Sequence, residues 1–210
     1  MNKIKLTVLL LITALPVSLA TLSFKSAIEN GDVSATSNKG NLILPPADIT
    51  ALAMHHADGQ PVFLNFEEEI ASLGDEEYEI RPWLLLYVTG SECDAKCQER
   101  IHYMQQLHIA LGKNIQRVRR YYLHASDEPI GPENAQIFES QFPSMGIAYS
   151  EREVLELNMA SAGVELSLAS QSYIVLVDPV GNVMMYYTDE QTAEDIMADL
   201  ETLLKYSSLG

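Results

Sequence analysis

The sequence predicts an α/β domain with a mixed central sheet flanked by helices, and three observations carry that prediction. Residues 83–88 are an uninterrupted apolar run bounded by Pro82 and Gly90, the pattern of a strand buried on both faces, as in a parallel sheet. A helical stripe follows at once, and residues 115–124, rich in Val, Tyr and Leu, read as a second strand, so the segment forms a βαβ unit. Further on, Tyr173–Val177 and residues 183–187 enclose Asp178-Pro179-Val180-Gly181-Asn182. Two β-rich runs around Pro and Gly read as an antiparallel hairpin.

The chain of 210 residues is long enough for one domain with a full core plus a leader. Lys3 and Lys5 precede residues 6–24, which carry no charge. That stretch of about 19 residues approaches the ~20 needed to span a bilayer. The positive flank places its start in the cytoplasm and the remainder outside. Two outcomes stay open. Ser18-Leu19-Ala20 resembles a small-residue cleavage site of a signal peptide, whereas the apolar run continues through Leu22 and Phe24, as an uncleaved anchor would. Residues 1–25 are thus expected to be an N-terminal transmembrane anchor or signal segment. Ser, Asn, Gly and Asp dominate up to Asn41 and Pro45-Pro46 follow, so residues 26–48 are expected to be an extended linker. Residues 49–210 are expected to be the extracytoplasmic domain.

Within that domain, residues 61–66 are a candidate first strand and residues 67–79 an acidic connection. Ser91 and Asp94 stand at capping-box spacing at the start of the helix after the buried run. Cys97, Ile101, Met104, His108 and Leu111 form one stripe along it, and Gly112 sits where a C-cap belongs. Shorter helices are expected near residues 133–142 and 152–157. A final helix over residues 190–206 carries the stripe Ala193, Ile196, Met197, Leu200, Leu203 and Leu204. A βαβ unit followed by ββα is the order of the thioredoxin fold.

The formal net charge is −16, and beyond Lys25 there are 10 Lys and Arg against 29 Asp and Glu, a net of −19. Nucleic-acid binding through phosphates requires clustered cations, so that class is excluded. Anionic lipid surfaces are disfavoured for the same reason, and a cationic partner is favoured.

Chemistry concentrates on two cysteines, Cys93 and Cys97, spaced C-x-x-x-C between the buried strand and the first helical turn. Residues four apart on a helix share a side, and Cα atoms ~6 Å apart are within disulfide reach. Free N–H groups at a helix start favour a thiolate, Glu92 and Asp94 oppose it, and Lys96 assists it. The residues leave three roles open: thiolate ligands for a soft ion such as Cu(I), a redox pair, or an inert staple. A disulfide closing so short a loop constrains the unfolded chain little. In the redox role Cys93, nearer the helix start, is expected to be the more exposed attacking group, with Cys97 resolving.

The βαβ unit with C-x-x-x-C at the helix start resembles the Sco/SenC family of copper-handling, membrane-anchored, thioredoxin-like proteins. Ile174-Val175-Leu176-Val177-Asp178-Pro179-Val180-Gly181 resembles the Sco strand and turn that follow its metal-binding histidine. The chain is similar also to a bacterial group of oxidase-associated Sco-like proteins. That likeness rests on Gly40-Asn41-Leu42-Ile43-Leu44-Pro45-Pro46, on Leu107-His108-Ile109-Ala110-Leu111-Gly112-Lys113, and on the tail Leu203-Leu204-Lys205-Tyr206-Ser207-Ser208-Leu209-Gly210. The resemblance implies an accessory or assembly factor for a respiratory cytochrome c oxidase. Such a protein would sit in a bacterial inner membrane with its domain in the periplasm and act on an oxidase subunit or its copper-site precursor. It would handle copper, or exchange thiols and disulfides, through Cys93 and Cys97. The chain departs from the family at one place: Ser170, followed by Gln171, stands where Sco proteins carry their histidine, and no histidine occurs after His124. A proline before Tyr173, where thioredoxins proper carry a cis-proline, is also missing. A general extracytoplasmic thiol–disulfide oxidoreductase and a non-catalytic interaction module that has lost its metal site are the competing readings.

His124, near the C-terminal end of the second strand, lies on the sheet edge from which the helix starts and could replace the missing ligand; a polar strand end is the plainer account. His108 on the helix stripe is expected to be packed. His102, about 140° round the helix from Cys97, is expected to face away. His55-His56 stand in a loop. Met184 and Met185 are soft donors that a hairpin core explains better. Arg117, Arg119 and Arg120 form a basic cluster, either a docking patch or a solvated strand. Glu67-Glu68-Glu69 with Asp75-Glu76-Glu77 read as a wet loop that could attract a cationic protein.

Overall fold

The computed structural model describes residues 3–29, 37–73, 81–126 and 128–207. The chain divides into two compact units, Met1–Ser37 and Asn38–Gly210. In the first unit α1 (Lys3–Glu29) runs for 27 residues with Pro16 inside it. Its large apolar side chains Leu11, Ile12, Leu15, Val17, Leu19 and Leu22 are exposed. Among the described residues, no helix is long and apolar enough to cross a membrane.

The second unit holds a six-stranded mixed sheet. Its strands are β1 (Asn41–Asp48), β2 (Trp83–Thr89), β3 (Val118–Ala125), β4 (Gly146–Ser150), β5 (Tyr173–Val177) and β6 (Asn182–Tyr187). Their order is β1-β6-β5-β2-β3-β4. The β2–β3 and β3–β4 pairs are parallel, and the β2–β5, β5–β6 and β6–β1 pairs are antiparallel. The helices are α2 (Phe66–Leu73), α3 (Ala95–Ala110), α4 (Pro132–Gln141), α5 (Arg152–Ser161) and α6 (Ala193–Tyr206).

All seven residues of β2 are buried, as the continuous apolar run requires of a strand covered on both faces. Its side chains alternate between two cores. Trp83, Leu85 and Tyr87 pack with Ile101, Met104 and Leu107 of α3, Phe138 of α4, and Ile196, Leu200 and Leu204 of α6. Leu84, Leu86 and Val88 pack with Ile49 and Leu52, with Leu155 and Met159 of α5, and with Val175 and Val177. Each fully buried Leu or Ile contributes roughly 1.5–3 kcal/mol.

Several expectations need correction. The linker expected over residues 26–48 is shorter at both ends, because α1 continues to Glu29 and Asn41–Asp48 form β1; residues 30–36 of that span lie outside the described residues. Strand β1 lies at the sheet edge, and its register shifts between Leu42 and Ala47. An edge strand with an irregularity accommodates Pro45 and Pro46 without losing ladder bonds. The first strand expected at 61–66 does not form beyond an isolated His55–Pro61 bridge. Asn65 Oδ1 accepts a hydrogen bond from Glu68 N at 2.9 Å, the geometry of a helix cap, so the chain turns into α2 there. The acidic connection is therefore helical as far as Leu73, and residues 74–80, Asp75-Glu76-Glu77 among them, lie outside the described residues.

Candidate functional site

The site is built on the junction between β2 and α3. Helix α3 begins at Ala95, and its cap is Asp94, whose Oδ1 accepts from Cys97 N at 2.9 Å. The expected Ser91–Asp94 capping box is replaced by this single cap; Asp94 is one turn further in than Ser91 and reaches the first free amides itself. Cys93 then lies just ahead of the helix and Cys97 in its first turn. The two form a disulfide with Cα atoms 5.2 Å apart.

Both half-cystines are 4% exposed, so Cys93 is not the more accessible of the two. Cys97, not Cys93, lines the adjoining pocket of about 140 Å³, together with Tyr87, Ser91, Lys96, Ser170 and Asp189. The cap that ties Cys97 N to Asp94 fixes the first turn of α3, and both half-cystines pack into the α3-side core. Lys96 reaches across to Asp189 at 2.5 Å. Arg100 donates from Nη2 to Thr188 O at 2.9 Å and from Nη1 to Gln191 O at 3.2 Å. These bonds tie the exposed face of α3 to the β6–α6 turn, which forms the pocket rim.

The segment before β5 forms the facing wall. Gly90 is needed here because a Cβ at that position would stand 2.6 Å from Leu168 O. Ser170 sits in a turn, with its N donating to Ser167 O at 3.0 Å and its Oγ to the same carbonyl at 3.3 Å. Tyr87 closes the base; burial raises its pKa above the ordinary phenol value, and a hydrogen bond with Ser172 partly offsets that.

His124 is 2% exposed, pairs in register with Thr89, and is fully occupied. Its Nε2 lies 2.9 Å from Glu128 O and its Nδ1 3.4 Å from the Tyr122 hydroxyl. A carbonyl only accepts, so Nε2 carries the proton and Nδ1 accepts from Tyr122. Burial lowers the His124 pKa, which keeps the ring neutral. Among the described residues, no cluster of three or more His, Cys, Asp or Glu could hold a metal ion.

His108 Nε2 contacts Ile115 O and Val118 O at 2.9 and 2.8 Å. His102 and His56 are exposed, and His55 stacks on Tyr149. Met185 is buried in the α3-side core, with Met184 packed against its edge. The arginine cluster is divided: Arg117 donates to Leu204 O and Ser207 O at the end of α6, Arg119 is exposed, and Arg120 is 2% exposed with Nη2 on Ser144 Oγ.

One supporting contact carried no sequence signal. Glu92, beside Cys93, accepts from Gly131 N at 3.1 Å and from the Asn134 side chain, so the cysteine loop caps the start of α4. Its partners are about forty positions away in sequence, beyond the reach of any local pattern.

A mixed sheet with a C-x-x-x-C disulfide at the start of the first crossover helix defines a thioredoxin-like domain. The chain belongs to the family described as transmembrane-like, thioredoxin-like, C-terminal domain, whose model matches residues 83–207. Among solved structures, it is similar to BsSco, a member of the Sco family of cytochrome c oxidase assembly proteins. The identity is 17%, the match covers 83% of this chain and 99% of that one, and the TM-score is 0.50. Copper-bound yeast Sco1 matches at 11% identity over 60% of this chain and 80% of that one, with a TM-score of 0.46. A thiol:disulfide interchange protein from Bacteroides sp. matches at 13% identity over 61% and 76%, with a TM-score of 0.42. No curated protein matches the sequence. The fold is thus that of the Sco proteins.

Proposed function

We propose that this protein is a Sco-like accessory factor for assembly of a respiratory cytochrome c oxidase, acting by thiol–disulfide exchange through Cys93 and Cys97. The observation that supports this most directly is the Cys93–Cys97 disulfide beside an open polar pocket. An oxidised pair next to a cleft can accept electrons from a partner dithiol. A partner thiolate attacks Cys97 Sγ, the S–S bond breaks, and Cys93 leaves as a thiolate. The partner's second thiolate then attacks its own sulfur in the mixed disulfide and releases Cys97. The partner ends as a disulfide and this chain as a dithiol, two electrons richer. The reverse sequence reduces a partner disulfide.

The donor chemistry does not fit a resident three-ligand copper centre. In the reduced protein the two cysteines supply soft donors. Ser170 offers a hydroxyl in place of an imidazole, and both nitrogens of His124 are hydrogen-bonded elsewhere. Copper enters this reading as the cargo of the oxidase site whose cysteines the protein would exchange with.

The proposed location is a bacterial inner membrane, with residues 1–25 as the anchor or signal segment expected from the sequence and the thioredoxin-like domain in the periplasm. Support comes from the uncharged run at 6–24 behind Lys3 and Lys5 and from the Cys93–Cys97 disulfide, a bond that persists in oxidising compartments.

Deletion in the native host, with complementation by wild-type and by Cys93→Ser/Cys97→Ser protein, tests the reading. Loss of oxidase copper content that only the wild type restores supports it. Restoration by the double-serine protein would reduce the role to scaffolding, and normal oxidase in the deletion strain would remove the oxidase role altogether.

A further inference from the structure

Helix α5 presents a surface unrelated to the cysteine site. Glu153, Glu156, Leu157, Ala160, Glu165 and Leu166 line a groove of about 460 Å³, within the size range of clefts that accept side chains or small ligands. Leu157 is 70% exposed and Val154, one turn back, is 38% exposed. The other face of α5 is fully used, with Leu155 and Met159 at 0% exposure in the core. The apolar side chains at 154 and 157 are therefore a second stripe that the fold does not need.

The rim decides what can cover that stripe. Glu153 and Glu165 are exposed, and Glu156 holds the loop floor by accepting from Leu168 N at 2.7 Å. A second copy of this chain would bring the same three carboxylates from each partner together around a desolvated leucine, and like charges in that setting repel strongly. An anionic lipid surface is repelled likewise. An apolar anchor flanked by cations satisfies both the groove and its rim.

We propose that the α5 groove is a docking site for a basic amphipathic segment of a partner protein. Its apolar side chains seat against Leu157 and Leu166, and its Lys or Arg side chains face Glu153 and Glu165. The surface works independently of the thiol chemistry, so either reading can fail without the other.

The test is fluorescence anisotropy with a labelled synthetic helix of about 14 residues, two leucines four apart on one face and lysines beside them. The full chain is held in nanodiscs of zwitterionic lipid, with empty discs subtracted. The expected result is saturable binding that weakens with added salt. Leu157→Ser and, separately, Glu153→Lys/Glu165→Lys are each expected to weaken it by about tenfold, the scale of a central anchor. These positions are exposed, and retention of the wild-type Tm shows that the variants fold. A control peptide with serine for leucine should not bind. Unchanged affinity in both variants would overturn the proposal by placing the peptide on another acidic surface, as would absence of saturable binding. A dimer in sedimentation that Leu157→Ser dissolves would assign the groove to a second copy and overturn it equally.

Discussion

Cys97 and Ser170 line one pocket, the sulfur from the first turn of α3 and the hydroxyl from the turn that leads into β5. The resemblance to Sco proteins sets Ser170 where those proteins carry a histidine, so the copper reading turns on this position. Replacing Ser170 by histidine should supply an imidazole donor on the pocket that Cys97 lines. Competition with a Cu(I) chelator should show the reduced Ser170→His chain binding at least about tenfold tighter than wild type, the scale of changes around a metal's ligands. His124→Ala in the same assay should leave Cu(I) affinity unchanged, because both ring nitrogens are engaged away from the cysteines.

Asp94 anchors the cysteine turn through its bond to Cys97 N. Asp94→Ala removes the cap of α3 and should cost about 1 kcal/mol. For a domain of this size that lowers Tm by roughly 2–4 °C. Calorimetry of oxidised protein checks it, and Asp94→Asn or Asp94→Ser should recover most of the loss because either side chain still accepts from the backbone.

His124 makes stability depend on pH in a defined direction. Burial depresses its pKa in the fold, whereas in the unfolded chain it protonates near the ordinary value of about 6.5. The unfolded state therefore binds the extra proton first, and stability falls as pH drops below about 6.5 until the folded pKa is reached. Between pH of about 7.5 and 5.5 the wild type should lose more Tm than His124→Gln. Equal slopes in thermal melts would show that the ring titrates freely.

Two buried charged groups should behave oppositely. Asp199 is 5% exposed and accepts from Lys39 N, Gly40 N and the Tyr187 hydroxyl. It thereby pins the start of the domain to α6. Asp199→Ala leaves those donors unmatched and should cost about 2–4 kcal/mol in a urea titration. Arg120 is as deeply buried, yet beyond its bond to Ser144 Oγ its Nε and Nη1 make no hydrogen bond among the described residues. A poorly compensated buried charge replaced by an apolar isostere tends to gain stability. Arg120→Met should hold or raise the urea midpoint. A fall of more than about 2 kcal/mol would reveal a partner for the guanidinium.

What the sequence disclosed follows from the range of the forces involved. The buried run at β2, the Pro-Gly hairpin and the α6 stripe are local patterns, and each formed where periodicity placed it. Strand β1 hid behind Pro45-Pro46 because its ladder depends on β6, about 140 residues away. Strand β4 offers only Gly146-Ile147-Ala148-Tyr149-Ser150, too short and mixed to declare itself. At the site, the cysteines were legible as spacing, and the departure at Ser170 through the resemblance to Sco proteins. The Asp94 cap, the Glu92 tie to α4 and the orientation of Cys97 toward the pocket depend on which competing hydrogen bond wins, and that is decided only once the tertiary structure is assembled.

In the proposed exchange Cys97 receives a partner's thiolate and Cys93 departs. Its most direct test is trapping of mixed disulfides with a dithiol peptide oxidised by the wild-type protein, using the single variants Cys93→Ser and Cys97→Ser after activation of the remaining cysteine, followed by intact mass spectrometry. Fast capture on Cys97 in Cys93→Ser and slow capture on the Cys93 sulfur in Cys97→Ser are expected. Faster capture on Cys93, or no peptide oxidation by the wild-type disulfide, would contradict it.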